Sequence, residues 1–371
     1  MVESIRVPSK SLLWLLTALV VVYGAFTLEF NVLPVPSKSD HILNLRSDIP
    51  VLSNEPPLIA LSGFKIIADA EQAEENNFDA IKFSFIYASR NDNYEGHPSS
   101  LRLEASLKAL YTALDKFNLT KSSEVLVVDW ASEQPLEQSE PVKRLRPTAC
   151  TRWLFISSQV LSTLNILTEH MSEVHALNAA ARRARGDTIF RLDQDTVVSP
   201  VFFEWVASQP EQFDGEVYAL LGRRDSNEQQ REVILQDPWG YVSNSTFMQD
   251  TRPWAGVYDF ANGHGAVGVM IFSKSLWLKL QGYNEDMTGW GHMEIDLWRR
   301  AQAIKPAMDP IGLLDSLPAV HIHHERFYKK PLNDFPNTEA PPLENPSFGF
   351  GDVNLFETRG RHCVSSLSAA K

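Results

Sequence analysis

The sequence predicts an α/β fold with a mostly parallel central sheet and flanking helices. Two apolar runs typical of buried strands, residues 81–88 and 124–130, lie on either side of a stretch with leucines at helical spacing, residues 99–117. A connection of this length rules out a tight hairpin, so the two strands should be parallel neighbours in a right-handed β-α-β unit. A third unit follows, in which an alanine-rich helix pattern stops at Gly186 and leads into the short strand 188–192.

Length, composition and charge narrow the class of protein. The 371 residues are 44% hydrophobic, which is enough for one substantial core with additional segments. The formal net charge is -12 at pH 7. A basic surface is the usual footprint of nucleic-acid binding, so this acidic chain is predicted to have no nucleic-acid partner. No internal repeat typical of solenoids or propellers recurs along the sequence.

An uncharged apolar run near the N-terminus predicts a transmembrane anchor. Residues 11–28 carry no charged side chain, and at ~1.5 Å per residue a helix of this length is about 27 Å long, close to a thin hydrocarbon layer. Arg6 and Lys10 precede the run and Glu29 follows it. The positive-inside rule then leaves residues 1–10 as a cytoplasmic tail and the main body lumenal, a type II arrangement. A cleaved signal peptide is the alternative interpretation.

The composition changes again on both sides of the α/β region. Residues 29–78 contain several prolines without clear periodicity and are predicted to form a stem. Residues 331–371, rich in Pro, Asn and Gly, are predicted to form a C-terminal tail. The α/β domain itself is therefore placed at residues 79–330.

Two further features bear on the compartment. Asn118 and Asn244 begin N-x-[ST] sequons, which suit a lumenal domain. Cys150 and Cys363, the two cysteines of the chain, either pair across a very long loop or remain free thiols.

Two aspartates stand at the end of the third predicted strand. Asp193 and Asp195 flank Gln194 and should emerge at the same sheet edge as Asp129, which ends the preceding strand. Burying either carboxylate without a partner would be costly, so a cation, solvent or a positively charged neighbour must balance them. Because Mg²⁺ and Mn²⁺ prefer such oxygen ligands, the triplet is a candidate metal site, although an isolated D-x-D equally fits a solvated loop.

A second group of polar residues lies between positions 262 and 301. The glycines of residues 262–265 permit close backbone approach to a ligand, and the apolar run 266–272 is typical of a strand. A glycine-rich segment then carries Trp290, which fits either contact with a ligand or partly buried packing. The helix that follows has Glu294 and Asp296 in its first turn, where carboxylates are favoured by the helix dipole and are also ordinary capping residues.

The order of these motifs carries a resemblance to a known family. The motifs are, in chain order, SRND, VVDW, ARGD followed by LDQD, GYNEDMTGWGHMEIDL and HIHHER. Together they resemble the nucleotide-sugar-dependent glycosyltransferases of GT-A fold, a Rossmann-like architecture, and in particular the inverting β-1,4-galactosyltransferase and chondroitin-synthase-like group. The resemblance runs from about Ile81 to Arg326.

The resemblance implies a role for each group of candidate residues. The nucleotide-sugar contacts it implies are Ser89, Arg90, Asp92, Asp129, Asp193, Gly263 and His264. The metal ligands it implies are Asp193, Asp195 and His324, with His321 and His323 as alternatives to His324. The acceptor contacts it implies are Trp290, Gly291 and Asp296. Glu294 takes the position of the catalytic base.

The sequence departs from the family pattern beside the base. His292 and Met293 stand where the family has Gly and Glu, and Glu294 replaces the usual Asp. Loss of the family Glu removes a hydrogen-bond acceptor for the acceptor sugar, so the family's N-acetylglucosamine preference is not carried over. The base remains chemically equivalent, since Glu and Asp have similar reference pKa values of about 4.

These observations predict a glycosyltransferase dependent on Mn²⁺ or Mg²⁺. It would move a hexose or N-acetylhexosamine from a UDP-sugar to a hydroxyl of a glycan acceptor, with inversion, in the lumen of the Golgi as a single-pass membrane protein. Two alternatives stay open. One is a retaining N-acetylgalactosaminyltransferase-like enzyme, and the other is a catalytically silent, membrane-anchored scaffold that binds sugar or metal.

Overall fold

The computed structural model describes most of the predicted α/β domain and part of the predicted tail. The described residues are 81–93, 97–166, 170–244, 246–253, 268–289, 291–304, 316–325, 333, 345–351, 353–360 and 363. The predicted anchor 11–28 and stem 29–78 lie outside them, as do Gly263, His264 and Trp290. Within the described residues, no helix combines the length and the apolar character that crossing a membrane requires.

Strands and helices alternate through the first half of the domain, as predicted. The strands are β1 (Phe83–Ser89), β2 (Ser123–Trp130), β3 (Cys150–Ile156), β4 (Thr188–Asp193), β5 (Thr196–Val198), β6 (Tyr218–Leu221), β7 (Arg223–Asp225), β8 (Arg252–Pro253), β9 (Val269–Ser273), β10 (Ala319–His321) and β11 (Phe356–Arg359). The helices are α1 (Ser99–Lys116), α2 (Glu140–Lys143), α3 (Ser158–Thr163), α4 (Glu173–Arg183), α5 (Pro200–Ser208), α6 (Glu228–Gln236), α7 (Pro238–Ser243), α8 (Phe247–Asp250), α9 (Lys274–Leu280) and α10 (Met293–Ile304).

The central sheet is parallel only in its middle. In the described part of the chain it has seven strands in the order β11-β3-β2-β1-β4-β9-β6. The pairs β1–β2, β2–β3 and β1–β4 are parallel, which confirms the predicted β-α-β unit. The pairs β4–β9, β6–β9 and β3–β11 are antiparallel, so the prediction of a mostly parallel sheet holds only for the four central strands. An apolar run has the same pattern in either direction, so strand direction depends on how the connections are routed.

Helices cover both faces of the sheet because successive strand residues point to opposite sides. In β1, Ile86 and Ala88 join a buried cluster with residues of α4, α9 and α10. Phe85 and Tyr87 join a second buried cluster with residues of α1 and α5. This arrangement is an α/β fold with a layer of helices on each side, as predicted.

A smaller sheet contains β5, which directly follows β4, and places it beside the later strand β10. Its order in the described residues is β5-β10-β7-β8, with β5 antiparallel and β7 parallel to β10. His321 at the end of β10 pairs with Thr196 at the start of β5. The next backbone N–H, of Ile322, donates to the carbonyl oxygen of Asp195 at 2.8 Å. The β4–β5 turn and the end of β10 are thereby joined.

Part of the predicted tail is built into the central sheet. β11 pairs with β3 and forms one edge of the described sheet, and the guanidinium of Arg152 contacts Glu357 of β11 at 2.8 Å. Cys150 and Cys363, 213 residues apart, form a disulfide. This resolves the alternative left by the sequence in favour of pairing.

Candidate active site and metal centre

One carboxylate and two imidazoles converge where β4 ends. The Asp195 Oδ2 atom lies 3.2 Å from His324 Nε2 and 3.6 Å from His321 Nε2, and the two Nε2 atoms are 3.1 Å apart. Among the described residues, these three form the one group of His, Cys, Asp and Glu side chains whose geometry suits a metal ion. His324 was the predicted histidine ligand, and His321, its alternative, is brought in as well.

The spacing of the three donor atoms suits a single ion. A circle through them has a radius of about 1.9 Å, close to the ~2.0–2.2 Å that transition-metal ions keep from imidazole and carboxylate ligands. Imidazole nitrogen suits transition-metal ions such as Zn²⁺, while carboxylate oxygen suits Mn²⁺ and Mg²⁺. The donor set therefore fits the predicted divalent metal.

Backbone contacts hold the two histidines at this place. The Ser226 hydroxyl donates to the carbonyl oxygen of His321 at 2.9 Å and accepts the backbone N–H of His323 at 2.9 Å. With the Ile322 contact to Asp195 described above, these bonds fix the backbone on both sides of His321. His321, His323 and His324 line a cleft of about 430 Å³ together with Asp225, Ser226 and Glu325.

The protonation of the centre suits metal binding. Burial and the charge of Arg223 lower the pKa of His321 to about 4, so its ring is neutral near pH 7, the form in which imidazole binds a metal. Burial works against ionisation of Asp195, but His321 and His324 outweigh it and hold the pKa of that carboxyl well below its usual range. The buried Arg102 guanidinium, 3.8 Å from Asp195 Oδ2, adds a further positive charge.

Asp193, the first aspartate of the predicted metal motif, lies apart from this cluster. Its Oδ1 atom contacts Nη2 of Arg191 at 2.7 Å. The metal assignment of Asp193 is therefore not supported by the geometry, because a positively charged neighbour already balances the carboxylate. Burial raises the pKa of Asp193 even though Arg191 lowers it.

The predicted base Glu294 shares the same arginine. Its Oε1 atom accepts a hydrogen bond from Nη2 of Arg191 at 3.1 Å, and the residue is only 9% exposed at the start of α10. Burial raises the pKa of Glu294, with the Arg191 charge acting in the opposite direction. A carboxylate whose pKa is raised has a greater affinity for the proton that a general base accepts.

Asp296, a predicted acceptor contact two residues further on, is engaged elsewhere. Both its contacts to Arg300, 2.7 and 2.9 Å long, involve the same Oδ2 atom. Arg300 also donates to the carbonyl oxygens of Leu280 and Gly282, so the pair fastens α10 to the end of α9. Residues two apart on a helix do not share a face. An acceptor contact at Asp296 remains a prediction, and the contacts present give it a structural role.

The loop before α10 is held by one asparagine. Asn333 Oδ1 accepts the Gly289 backbone N–H at 2.8 Å, and Asn333 Nδ2 donates to the Gly291 carbonyl oxygen at 2.7 Å. His292 Nδ1 lies 2.9 Å from the Asn333 carbonyl oxygen. Gly291 and His292 have φ values of 73° and 65°, a conformation that glycine tolerates best, which gives a backbone reason for the family's glycine at position 292. These contacts lie on both sides of position 290.

The predicted nucleotide contacts lie at the carboxyl ends of β1 and β2. Both carboxylate oxygens of Asp129 are used, one accepting from the Ser132 hydroxyl and the other from the Leu136 N–H at 2.7 Å. Burial raises the pKa of Asp129 to about 6. Asn91 donates its N–H to Ser132 at 2.8 Å, so the loops after the two strands are tied together.

The other predicted contacts on this side also have protein partners. Ser89 donates its hydroxyl to the side-chain oxygen of Gln194, which links β1 to the turn after β4. Asp92 accepts from the Ser99 hydroxyl at 2.7 Å and lies 3.9 Å from Arg90 Nε. Ser89, Arg90, Asp92 and Asp129 therefore share the sheet edge that carries Asp193 and Asp195.

Several residues of the site were not found from the sequence. The sequence shows an unusual feature at Arg191, an arginine inside the apolar strand 188–192, but its partner Glu294 is distant in sequence. Arg102 lies on the helix α1 among leucines and alanines and is 1% exposed. Asp225 and Asn333 stand in stretches without any motif.

Comparisons with known proteins give distant structural neighbours. No family model matches the chain, and no curated protein matches it. The crystal structure of S. aureus TarS 1-349 is 14% identical over 65% of this chain and 58% of that chain, with a TM-score of 0.38. Mannosyltransferase PcManGT from Pyrobaculum calidifontis, in complex with GDP-Man and Mn²⁺, is 18% identical over 67% and 58% of the respective chains, with a TM-score of 0.40. The match spans less than two thirds of either neighbour, and values this low do not place the chain in a family.

Proposed function

We propose that this chain is a metal-dependent glycosyltransferase of GT-A fold. It transfers a hexose or N-acetylhexosamine from a UDP-sugar to a hydroxyl group of a glycan acceptor, with inversion at the anomeric carbon. The observation that carries the proposal is the convergence of Asp195, His321 and His324 at the carboxyl end of β4, with Glu294 linked to the same strand through Arg191. The motif order that resembles β-1,4-galactosyltransferases and chondroitin synthases supports the same reaction.

A divalent ion, Mn²⁺ or Mg²⁺, would be held by Asp195, His321 and His324. When bound, it supplies positive charge next to the diphosphate that leaves the sugar. The protein provides two imidazoles and a carboxylate, the donor types that such an ion binds, already at suitable spacing. Arg102, whose Nε atom lies 3.8 Å from Asp195 Oδ2, adds a positive charge beside that carboxylate.

Glu294 acts as the general base in this proposal. Its carboxylate accepts the proton of the acceptor hydroxyl as that oxygen attacks the anomeric carbon on the face opposite the diphosphate. A single base with no protein nucleophile gives direct displacement and inversion. The raised pKa of Glu294 favours this role, since a carboxylate with a higher pKa has a greater affinity for the proton it must accept.

The donor nucleotide would lie along the ends of β1 and β2. Arg90 and Asp92 lie in the loop after β1, and Asp129 orders the loop after β2 through Ser132 and Leu136. Gly263 and His264 complete this side of the site in the proposal. UDP is favoured over GDP on the resemblance of the motifs.

The acceptor would lie against the loop 289–292. In this proposal Trp290 would contact the sugar ring, and Asn333 holds the backbone at Gly289 and Gly291. The replacement of the family Glu by Met293, which is 4% exposed, removes one polar contact for the acceptor. An acceptor other than N-acetylglucosamine is therefore the expectation.

We also propose a Golgi location with the domain in the lumen and residues 11–28 as a type II anchor. The disulfide between Cys150 and Cys363 suits an oxidising compartment. The sequon residues Asn118 and Asn244 are both exposed, so an oligosaccharide could be attached to either. Loss of mass on treatment with an N-glycosidase, and protection from protease in sealed microsomes, would test the topology.

The test of the function is a screen of nucleotide sugars. Thermal unfolding of the domain with Mn²⁺ should shift to higher temperature with one UDP-sugar, because a ligand that binds the native state stabilises it by mass action. That donor is then offered with a panel of glycans, and proton NMR of the product gives the anomeric configuration. A retained configuration supports the retaining alternative. If no nucleotide sugar binds or is consumed, the result supports the alternative of a catalytically silent scaffold.

A further inference from the structure

A buried arginine in the central strand connects the two halves of the site. Arg191 lies in β4 opposite Ile86 of β1 and Met270 of β9, and it is 2% exposed. A guanidinium so far from solvent carries a desolvation penalty of several kcal/mol unless it is paired and hydrogen-bonded. The groups that pair with Arg191 therefore indicate which side chains it holds in place.

The partners are carboxylates from two separate elements. Nη2 of Arg191 lies 2.7 Å from Asp193 Oδ1 and 3.1 Å from Glu294 Oε1. Asp193 is two residues along the same strand, so both side chains leave β4 on the same face. Glu294 comes from the first turn of α10. One guanidinium nitrogen thus joins the end of β4 to the helix that carries the proposed base.

We propose that Arg191 is a positioning residue that holds the Glu294 carboxylate for the acceptor hydroxyl, and that Asp193 acts by holding Arg191 rather than by binding metal. This inference rests on the proposed function. A glutamate has three side-chain torsions and, without a fixed partner, would sample several positions. A misplacement of about 1 Å can lower a rate by about 10²-fold.

The position of Asp193 supports its part in the proposal. Its contact with Arg191 is shorter than any contact within the Asp195, His321 and His324 group. That group reaches the spacing of a metal site without Asp193. Arginine suits the bridging role because its planar fork offers several donors in fixed directions, which a lysine ammonium does not.

The test compares Arg191→Met, Arg191→Lys and Asp193→Asn with the wild type. Steady-state kinetics give kcat and the KM values for donor and acceptor, and calorimetric titration gives the Kd for Mn²⁺. Arg191→Met should lower kcat by about 10²-fold, with the donor KM and the Mn²⁺ Kd within about threefold of wild type. Arg191→Lys should recover part of kcat. Asp193→Asn should lower kcat by about tenfold and leave the Mn²⁺ Kd unchanged.

Arg152 provides a matched control. It is another buried arginine bridging two carboxylates, Glu124 at 3.0 Å and Glu357 at 2.8 Å, and it lies on β3, away from β4 in the strand order. Arg152→Met should lower the melting temperature and leave kcat per folded molecule unchanged. A merely structural role for Arg191 would give the same result as Arg152.

Each outcome bears on the inference. Wild-type kcat in folded Arg191→Met, or a Mn²⁺ Kd raised more than tenfold in Asp193→Asn, would overturn it. If Arg191→Met does not fold, the kcat values and Mn²⁺ affinities of Arg191→Lys and Asp193→Asn provide the test instead. If the wild type transfers no sugar at all, the proposed function fails separately. The melting temperatures of Arg191→Met, Glu294→Met and the double variant then test the contact between the two side chains. Additive losses would refute that contact, and a combined loss smaller than the sum would support it.

Discussion

His321 lies between two carboxylates, with Asp225 on the side opposite the candidate metal centre. Nδ1 of the ring is 3.6 Å from Asp225 Oδ1, and Nε2 is 3.6 Å from Asp195 Oδ2. Asp225 is itself held by Nε of Arg223 at 2.8 Å. A carboxylate behind a metal-binding imidazole fixes the ring orientation and its tautomer. Asp225 is therefore expected to assist the centre without touching the ion.

Replacing Asp225 should weaken metal binding. Asp225→Asn removes the charge that orients His321, and changes of this kind typically lower metal affinity by about 10- to 100-fold. Asp195→Ala removes a ligand and should abolish binding, which calorimetric titration with Mn²⁺ would measure. Asp214→Asn is the matched control, because that side chain is 70% exposed and pairs with Lys82 instead. Equal Mn²⁺ affinity in Asp225→Asn and Asp214→Asn would show that Asp225 does not support the centre.

The donor set also predicts which metal is preferred. Two imidazoles and one carboxylate suit transition-metal ions, with Mn²⁺ at the weak end of that series, whereas Mg²⁺ prefers oxygen ligands and retains its waters. We expect Mn²⁺ to raise the melting temperature at concentrations at which Mg²⁺ has no effect, with at least about tenfold tighter binding. His321→Ala should reduce this preference, since it removes one nitrogen ligand. Equal affinity of wild type for both ions would contradict the assignment of two histidines to one ion.

Glu294→Gln should separate donor binding from transfer. The amide keeps the size of the side chain and can stay beside Arg191, but it cannot accept the proton of the acceptor hydroxyl. Donor affinity in the presence of Mn²⁺ should change little, while kcat should fall by about 10²- to 10⁴-fold. Glu294→Asp, the residue found in the family, tests whether carboxylate chemistry suffices at a shorter reach. Activity of Glu294→Gln equal to wild type would remove Glu294 from the role of base.

The two hydrogen bonds made by the Asn333 side chain should affect binding of the acceptor and not binding of the donor. Asn333→Ala removes both side-chain hydrogen bonds on either side of position 290, so the loop 289–292 becomes less ordered. We expect the acceptor KM to rise by about tenfold, with the donor KM unchanged. His292→Gly is a milder comparison, because it removes one contact while suiting the positive φ of 65°. A rise in donor KM in Asn333→Ala would place this loop on the donor side instead.

The sequence indicated the local elements and the approximate position of the site. The run of β1, α1 and β2 agrees with its predicted bounds within two residues, because apolar spacing directly reports strands and helices. Asp195 and His324 were placed together on the resemblance of the motifs, and they do lie together. No periodic signal in the sequence indicates which distant residue a side chain will contact in the folded protein.

Two predictions show where local pattern stops being informative. Gly186 was predicted to stop a helix, yet α4 ends at Arg183, and a Cβ atom on Gly186 would lie 2.7 Å from the backbone of Phe83. The glycine is needed for close approach to β1, which only the packed structure reveals. The resemblance of the motifs assigned Asp193 to the metal together with Asp195. In the structure the Asp193 carboxylate contacts Arg191, two residues earlier in the strand, and a metal contact of Asp193 stays a prediction.

The edge of the sheet far from the site should control stability in acid. Glu357 of β11 is bonded to Arg152 and Arg359, and although burial opposes its ionisation, these contacts lower its pKa to about 2. A carboxyl whose pKa is lower in the folded state stabilises the protein above its unfolded pKa of about 4.5, and this contribution is lost as the pH falls from there towards about 2.

Glu357→Gln should therefore destabilise the domain at pH 7 and have little effect at pH 2. Allowing for partial solvent screening, the loss at pH 7 should be on the order of 2 kcal/mol. Urea unfolding across this pH range, with the disulfide intact, would measure the difference between variant and wild type. The difference should shrink steadily below pH 4.5 because the wild type progressively loses the same charge. A difference that stayed constant down to pH 2 would mean that Glu357 stabilises β11 through packing and not through its charge.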